Sequence, residues 1–384
     1  MRLLFVTGSL VHGGAERHSI TLVNRLAERG HECHAAYVRD DPSQLERLHG
    51  AASVRCLAAR KHLDWSAVRS LSSLIGSAKP DVIIAANPYA LLYATLARRL
   101  AGARAPLAVT FHTTVPASAK EWLRMLYYRP FFWNADCLVF VCEAQRRYWQ
   151  ARRLRSRRDE VIYNGVDLEH WSPRPPAERA MLRRVLALEE RDFVVGMCAV
   201  FRPEKNHVQL IEAIARLRAR GIPARALLIG DGPARRQIEA RARAAGVSAE
   251  VLITGYQRDV RPLIAACDAL ALCSRSVETF SLAALEAMAL ERPVAHAELG
   301  GAAEMIRPGH DGQLFPVGDS AALVERLAAM AEPRERARLG AAARRTVEAR
   351  FSERAMVDRY EQTFLELDSK RSTRENLRRR AAAY

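Results

Sequence analysis

Along the chain, short unbroken apolar runs alternate with stretches whose apolar residues fall three and four apart. Residues 2–7, Arg-Leu-Leu-Phe-Val-Thr, form the first short run, with the length and branched-aliphatic content of a strand buried on both faces. A glycine-bearing loop from Gly8 to Gly14 follows. A helix then shows Ile20, Val23 and Ala27 on one face and stops at Gly30. Further strands are predicted at 33–38, 82–86, 107–111 and 137–141, and a second series near 193–198, 225–229, 251–254, 269–272, 293–295 and 313–315. Between them lie helical patterns such as Leu210, Ile211, Ile214 and Leu217 in 206–219. This alternation predicts an α/β protein of parallel sheets with crossover helices.

Ser172-Pro173-Arg174-Pro175-Pro176 interrupts the pattern and reads as a linker. The predicted organisation is a doubly wound, Rossmann-like domain at 1–171, a linker at 172–190 and a second such domain at 191–350. A helix and basic tail at 351–384 close the chain, with Met356, Tyr360, Phe364 and Leu367 on one helical face. A length of 384 residues agrees with two cores rather than one.

Composition narrows this picture only slightly. No run of about 18 uninterrupted apolar residues is present, which argues against a membrane-spanning helix. The N-terminal run is too short for a secretory signal and reads as a buried strand. Seven cysteines form no C-x-x-C pair and leave one over, as expected in a reducing cytoplasm. The formal charge of +16 is spread over Arg-rich helices at 234–245 and 335–350, with denser clusters from Arg146 to Arg158, where Tyr148 and Trp149 interleave, and from Lys370 to Arg380. Such charge serves nucleic acid, anionic lipid or a phosphorylated substrate, and a lack of any recognisable nucleic-acid module disfavours the first. A stretch from Lys120 to Trp133 mixes basic and aromatic residues and is compatible either with an anionic membrane surface or with an ordinary core helix.

The chemistry concentrates in Glu278-Thr279-Phe280-Ser281-Leu282-Ala283-Ala284-Leu285-Glu286, between a predicted strand and a predicted helix. Were all eight steps helical, the two carboxylates would stand roughly 12 Å apart and about 80° out of phase. With the first residues in a loop, both can face one elongated ligand. A nucleotide-sugar is such a ligand: Glu278 would take the sugar hydroxyls, Glu286 the ribose diol, and the N–H groups of Phe280, Ser281 and Leu282 the diphosphate between them.

The series Gly230-Asp231-Gly232-Pro233, Gly255, Ala266-Cys267-Asp268, Ser274, Glu278 to Glu286, Pro293-Val294, Gly300-Gly301, Glu304 and Asp311-Gly312-Gln313-Leu314 resembles the retaining, nucleotide-sugar-dependent GT-B glycosyltransferases of family 4. The first half is similar at Gly13-Gly14-Ala15-Glu16, His112 and Asn164-Gly165-Val166-Asp167. The resemblance implies two Rossmann-like domains facing a cleft, the donor held by the second and the acceptor by the first, and a C-terminal helix that crosses back onto the N-terminal domain. It implies catalytic roles for His112, Lys205 and Glu278. Donor contacts are implied at Gly230, Gly232, Tyr256, Arg258, Phe280, Ser281, Leu282 and Glu286, and acceptor or diphosphate contacts at Gly13, Gly14 and Glu16. The arginine that the family usually places five residues before the lysine is Val200 here, and Arg202 is inferred to reach the same phosphate.

Neither a D-x-D pair nor a zinc-type His/Cys cluster occurs, so no metal cofactor is expected. The expected activity is transfer of a hexosyl group, with retention, to a glycan or lipid-linked acceptor in cell-surface polysaccharide or glycolipid synthesis. The expected location is the cytoplasm or the inner face of the membrane. The rival readings are a GT-B-fold sugar-nucleotide epimerase and a basic nucleic-acid-binding protein.

Overall fold

The computed structural model describes residues 1–11, 13–113 and 118–381. The chain divides into two compact units, Met1–Asn164 with Ala355–Tyr384, and Gly165–Arg354. In the first unit seven strands, β1 (Arg2–Thr7), β2 (Glu32–Tyr37), β3 (Ser53–Cys56), β4 (Val82–Ala86), β5 (Leu107–Phe111), β6 (Cys137–Phe140) and β7 (Asp159–Val161), form one sheet in the order β3-β2-β1-β4-β5-β6-β7. Every pairing is parallel, with Leu3 opposite Cys33 on one side and Val82 on the other. The helices are α1 (Gly14–Glu28), α2 (Trp65–Ala78), α3 (Asn87–Leu100), α4 (Ala119–Phe132) and α5 (Glu143–Ala151). Both faces of the sheet are covered, which explains why β1, β4 and β5 read as near-continuous apolar runs. The edge strands β3 (Ser-Val-Arg-Cys) and β7 (Asp-Glu-Val) lie outside the predicted set, because they carry too few apolar residues to register as runs.

The second unit holds β8 (Phe193–Cys198), β9 (Ala224–Ile229), β10 (Val251–Ile253), β11 (Ala269–Leu272), β12 (Val294–Ala297) and β13 (Gln313–Phe315), paired in the order β10-β9-β8-β11-β12-β13. Its helices are α6 (Pro176–Val185), α7 (His207–Ala219), α8 (Arg235–Ala244), α9 (Arg261–Ala266), α10 (Leu282–Ala289), α11 (Ala302–Met305), α12 (Ser320–Ala331) and α13 (Pro333–Arg350). In both sheets the strand order reverses beside the first strand, between β1 and β4 and between β8 and β11. Ligands collect at such switch points, outside the carboxyl ends of the strands.

The segment predicted as linker, 172–190, is instead part of the second unit, and the chain passes between units at Asn164 and Gly165. Proline starts α6 rather than breaking structure: Pro176 occupies the first helical position, where no N–H is needed. Arg179 and Arg183 then fasten this helix to the buried Asp268, at 2.6 and 3.0 Å.

The chain ends in α14 (Glu353–Ala381). Met356, Val357, Tyr360, Phe364 and Leu367 join Leu3, Phe5, Val82, Ile84 and Val139 in one apolar core of the first unit. Thr363 donates to Glu160 at 2.9 Å, and Arg29 pairs with Asp358 at 2.6 Å. Of the basic tail, the side chains of Ser372 and of residues 374–384 lie outside the described residues.

Candidate active site

In the second unit the loop between β11 and α10 carries Glu278. The chain bends sharply at Val277, whose φ is +55°, and the next helix begins only at Leu282. Ser281 is its N-cap and accepts from the Ala284 N–H. Glu278 therefore stands on a loop ahead of the helix, and Glu286 in the fifth position of α10, where only 2% of it is exposed. The first-turn N–H groups of Leu282 and Ala283 have no intrahelical acceptor.

Two groups meet the Glu278 carboxylate. Lys205 donates to Oε2 at 2.8 Å and Ser274 to the same oxygen at 3.0 Å. Burial alone would raise the Glu278 pKa, but the Lys205 ammonium and these hydrogen bonds outweigh it and hold the carboxyl below its ordinary value. The neighbouring His296 acts in the same direction on Glu278, while burial lowers its own pKa. Lys205 reaches this place because Pro203–Lys205 form a single 3₁₀ turn closed by Asn206 at φ +57°, and the Arg275 N–H donates to the Glu204 carbonyl at 2.9 Å.

Glycines shape the walls. Gly300 has φ +60°, and a Cβ there would lie 2.4 Å from the Glu278 carbonyl oxygen, so the Glu278 backbone has its position only because residue 300 has no side chain. The Gly301 N–H donates to the Thr279 carbonyl at 2.7 Å. At Gly230 a Cβ would lie 2.2 Å from the Ala199 carbonyl oxygen, and at Gly232 it would lie 2.7 Å from that of Phe201. The two glycines thus let the loop after β9 run against the loop after β8 that leads to Lys205.

Arg202 is exposed beside this turn, and Val200, at the family's arginine position, is 39% exposed. Phe280 is buried and packs edge-on against Phe351 at 5.3 Å, so its ring is structural. Tyr256 is 59% exposed and Arg258 is exposed, both just past Gly255. The structure thus brings Lys205, Ser274, Glu278 and the start of α10 together in one place.

The remaining predicted residues belong to the first unit. Gly13 is the N-cap of α1, and the Glu16 carboxylate folds back so closely that a Cβ on Gly13 would lie 2.3 Å from it. A cavity of about 200 Å³ opens at the switch point and is lined by Thr7, Gly8, Ala15, Glu16, Ala86, Asn87 and Tyr89. His112 follows β5, and its N–H donates to Asn87 Oδ1 at 2.9 Å. Asn87 takes the left-handed conformation, φ +68°, at the start of α3. Burial pulls the His112 pKa down to about 4, so the ring is neutral near pH 7.

Sequence reasoning missed Asn87 and also His18, whose ring packs edge-on against His112 at 4.7 Å and against Tyr360 at 5.2 Å. His18 sits on the buried face of α1, two positions from Ile20, and only its polarity within that apolar stripe would have singled it out. Trp149, grouped in the sequence with a basic cluster, is buried and donates to the Thr113 carbonyl at 2.9 Å. No group of three His, Cys, Asp or Glu side chains is placed to hold a metal ion among the described residues.

Comparison with known proteins bears on the whole chain. The family model described as glycosyl transferases group 1 matches residues 178–346, and that described as glycosyltransferase family 4 matches residues 12–170. The chain is 31% identical to the putative glycosyltransferase EpsD of Bacillus subtilis over 317 residues, which cover 79% of this chain and 81% of the relative. It is 30% identical over 362 residues to the lipopolysaccharide core biosynthesis glycosyltransferase LpsE of Rhizobium meliloti, covering 91% of this chain and 94% of that one. Among solved structures, Anabaena HepE in complex with UDP-glucose superposes with a TM-score of 0.84 at 24% identity, covering 95% of this chain and 100% of the other.

Proposed function

For a chain that belongs to the GT-B glycosyltransferases of family 4, we propose a reaction that moves a hexosyl group from a nucleotide-diphosphate sugar to a glycan or lipid-linked acceptor with retention of configuration. The observation that carries it is the Lys205–Glu278 contact of 2.8 Å at the mouth of α10. A cation beside a carboxylate suits the one bond in a nucleotide-sugar where hydroxyls and phosphate oxygens adjoin. Glu278 accepts from the sugar hydroxyls, while Lys205 and the first-turn N–H groups of Leu282 and Ala283 receive charge that grows on the diphosphate as the glycosidic bond breaks. Arg202 supplements them. The same groups make a divalent ion unnecessary, so activity should survive EDTA.

Glu278 is engaged by Lys205 and Ser274 and serves better as an acceptor of hydroxyl protons than as an attacking nucleophile. A same-face displacement follows, in which the departing phosphate oxygen takes the acceptor's proton. Neutral His112 offers the transferred sugar a hydrogen bond without competing for the diphosphate. Glu286 holds the ribose, and Gly13, Gly14 and Glu16 border the acceptor. Tyr256 and Arg258 cover the nucleobase.

HepE was solved with UDP-glucose, and relatives act in lipopolysaccharide core biosynthesis. These support a nucleotide-sugar donor and a role in cell-surface polysaccharide or glycolipid synthesis. No helix among the described residues is long and apolar enough to cross a membrane. In α4, however, Met125, Tyr128 and Phe132 face the core while Leu123, Leu126 and Tyr127 are exposed beside Arg124, a face suited to peripheral contact with an anionic inner-membrane surface.

The test is a thermal-shift panel of UDP-, GDP- and ADP-sugars on the wild type and on Lys205→Ala. One donor should raise the melting temperature of the wild type and lose most of that effect in the variant. No shift with any donor refutes donor binding. Retention is read by NMR on the first-formed product, and inversion refutes the mechanism.

A further inference from the structure

We propose that the opposite edge of the first sheet carries a second anion site, built for phosphate-bearing ligands. A recess of about 420 Å³ opens there, walled by the end of α3, the turns leading into β5, β6 and β7, and the exposed side of α14. All of it lies in the first unit. Pro106 borders the recess just before β5 and His112 follows that strand, so the recess is about 20 Å from the carboxyl edge. It is a different place from the donor and acceptor residues.

Charge there is strongly unbalanced. Asp136 is the single carboxylate in the wall, against seven arginine and lysine side chains. Asp136 is already shared between Arg98 at 3.2 Å and Arg157 at 2.6 Å. Arg158 is held by Glu366 at 2.7 Å and also by Glu160, and Arg371 by Asp368 at 2.7 Å and Asp81 at 3.6 Å. Arg99 and Arg104 have no carboxylate partner among the described residues, Lys370 has only a longer-range attraction to Glu366, and Arg99 donates instead to the neutral Asn134 side chain at 2.7 Å. Burial pulls the Arg98 pKa below its ordinary value, and the nearby Arg157 and Arg99 push it the same way against Asp136. Cations crowded this closely gain from an added anion.

Phosphate fits the geometry better than a base-stacking ligand. Guanidinium forks arriving from α3, the β5 turn and α14 can each take two oxygens of a tetrahedral oxyanion, whereas the recess wall contains no aromatic ring on which a nucleobase would stack. Next to the unpaired Arg99 lie Leu100 and Trp133, 55% and 59% exposed. An apolar residue and a tryptophan beside arginines match the edge of a bilayer, so among phosphate sources a lipid headgroup is favoured over a free polyphosphate.

The experiment uses the full-length chain and the triple variant Arg99→Glu/Arg104→Glu/Lys370→Glu, with Arg99→Gln/Arg104→Gln/Lys370→Gln as a milder set should circular dichroism show the first to be unfolded. Tripolyphosphate binding is measured by calorimetry at physiological ionic strength. Vesicle binding is measured by co-sedimentation with phosphatidylcholine alone and with added phosphatidylglycerol. Binding roughly 100-fold weaker in the triple variant is expected from the loss of three surface cations. Loss confined to phosphatidylglycerol vesicles identifies the headgroup as ligand, and loss with tripolyphosphate identifies a soluble one. Contributions from Lys205 or α4 are common to all proteins compared, so equal binding by wild type and variant overturns the site, as does failure of the wild type to bind either probe.

Discussion

Lys205 Nζ and Glu278 Oε2 lie 2.8 Å apart with 24% and 11% of their side chains exposed, so each charge is largely shielded and each depends on the other. Glu278→Gln and Lys205→Ala should each lower kcat by about 100-fold or more, the scale of losing one preorganised charge-stabilising group. The double variant should fall well short of the product of the two effects, because the residues act as a unit. Steady-state kinetics with the identified donor checks this, and a Glu278→Gln enzyme with wild-type kcat would falsify the assignment.

Three buried histidines make the fold sensitive to mild acid. Burial lowers His112 and His207 to about 4 and holds His18 well below its usual value. In the unfolded chain these rings take protons near pH 6.5, in the native state only at much lower pH, so between those values the unfolded state binds more protons and stability falls as pH falls. The loss should begin below pH 6.5 and approach about 1.4 kcal/mol per pH unit for each histidine. Urea titrations at a series of pH values would show it, and His207→Gln should flatten part of the slope. A stability that stays level from pH 7 to pH 5 contradicts the assignment of these rings as neutral.

Gly300→Ala tests how far the Glu278 carboxylate, proposed to bind the sugar, depends on the missing side chain at residue 300. The added carbon would lie 2.4 Å from the Glu278 carbonyl oxygen and 2.6 Å from that of Thr279, at φ +60°. Stability should drop by about 1–3 kcal/mol, and donor affinity should fall further than the drop in melting temperature explains, since the Glu278 loop must shift. Equal affinity in the folded variant would show that the loop geometry is not needed for binding.

Asp268 organises the base of the second unit. It accepts from the Val194 N–H at 2.8 Å and pairs with Arg179, Arg183 and Arg336 at 2.6, 3.0 and 3.3 Å. Burial acts to raise its pKa, and the arginines with the Val194 N–H reverse this and lower it. Asp268→Ala strands several cations and should cost about 3–5 kcal/mol, seen as a lower urea midpoint at unchanged m. Because the carboxyl is depressed, its contribution is complete above about pH 4 and disappears only on further acidification.

What the sequence disclosed follows from range. Central strands such as β1 and β5 are legible because burial on both faces writes an unbroken apolar run, and the stripe on α14 is legible because Met356, Tyr360, Phe364 and Leu367 keep helical spacing. The edge strands β3 and β7 were not, since each holds too few apolar residues to write a run, and neither was α6, whose anchor Asp268 lies 85 and 89 positions from Arg183 and Arg179. Within the site, Glu278 was read from its place ahead of a helix and Lys205 from the family resemblance, but their direct contact and the Glu278 oxygen that Lys205 shares with Ser274 are tertiary facts. Asn87 left no trace at all: its left-handed backbone and its acceptance of the His112 N–H arise only when β5 lies beside β4.

The packing of α14 against β1 bears on how the protein is made. Leu3 and Phe5 are synthesised long before Tyr360, Phe364 and Leu367, which complete the apolar surface they join. Roughly 200 residues separate the end of β7 from those side chains, a wait of about 10–40 s at ordinary elongation rates. Throughout that interval the first unit's share of the nascent chain carries an uncovered greasy face, so that unit matures only once residues 356–367 have been made, and a chain interrupted before Met356 cannot seal it.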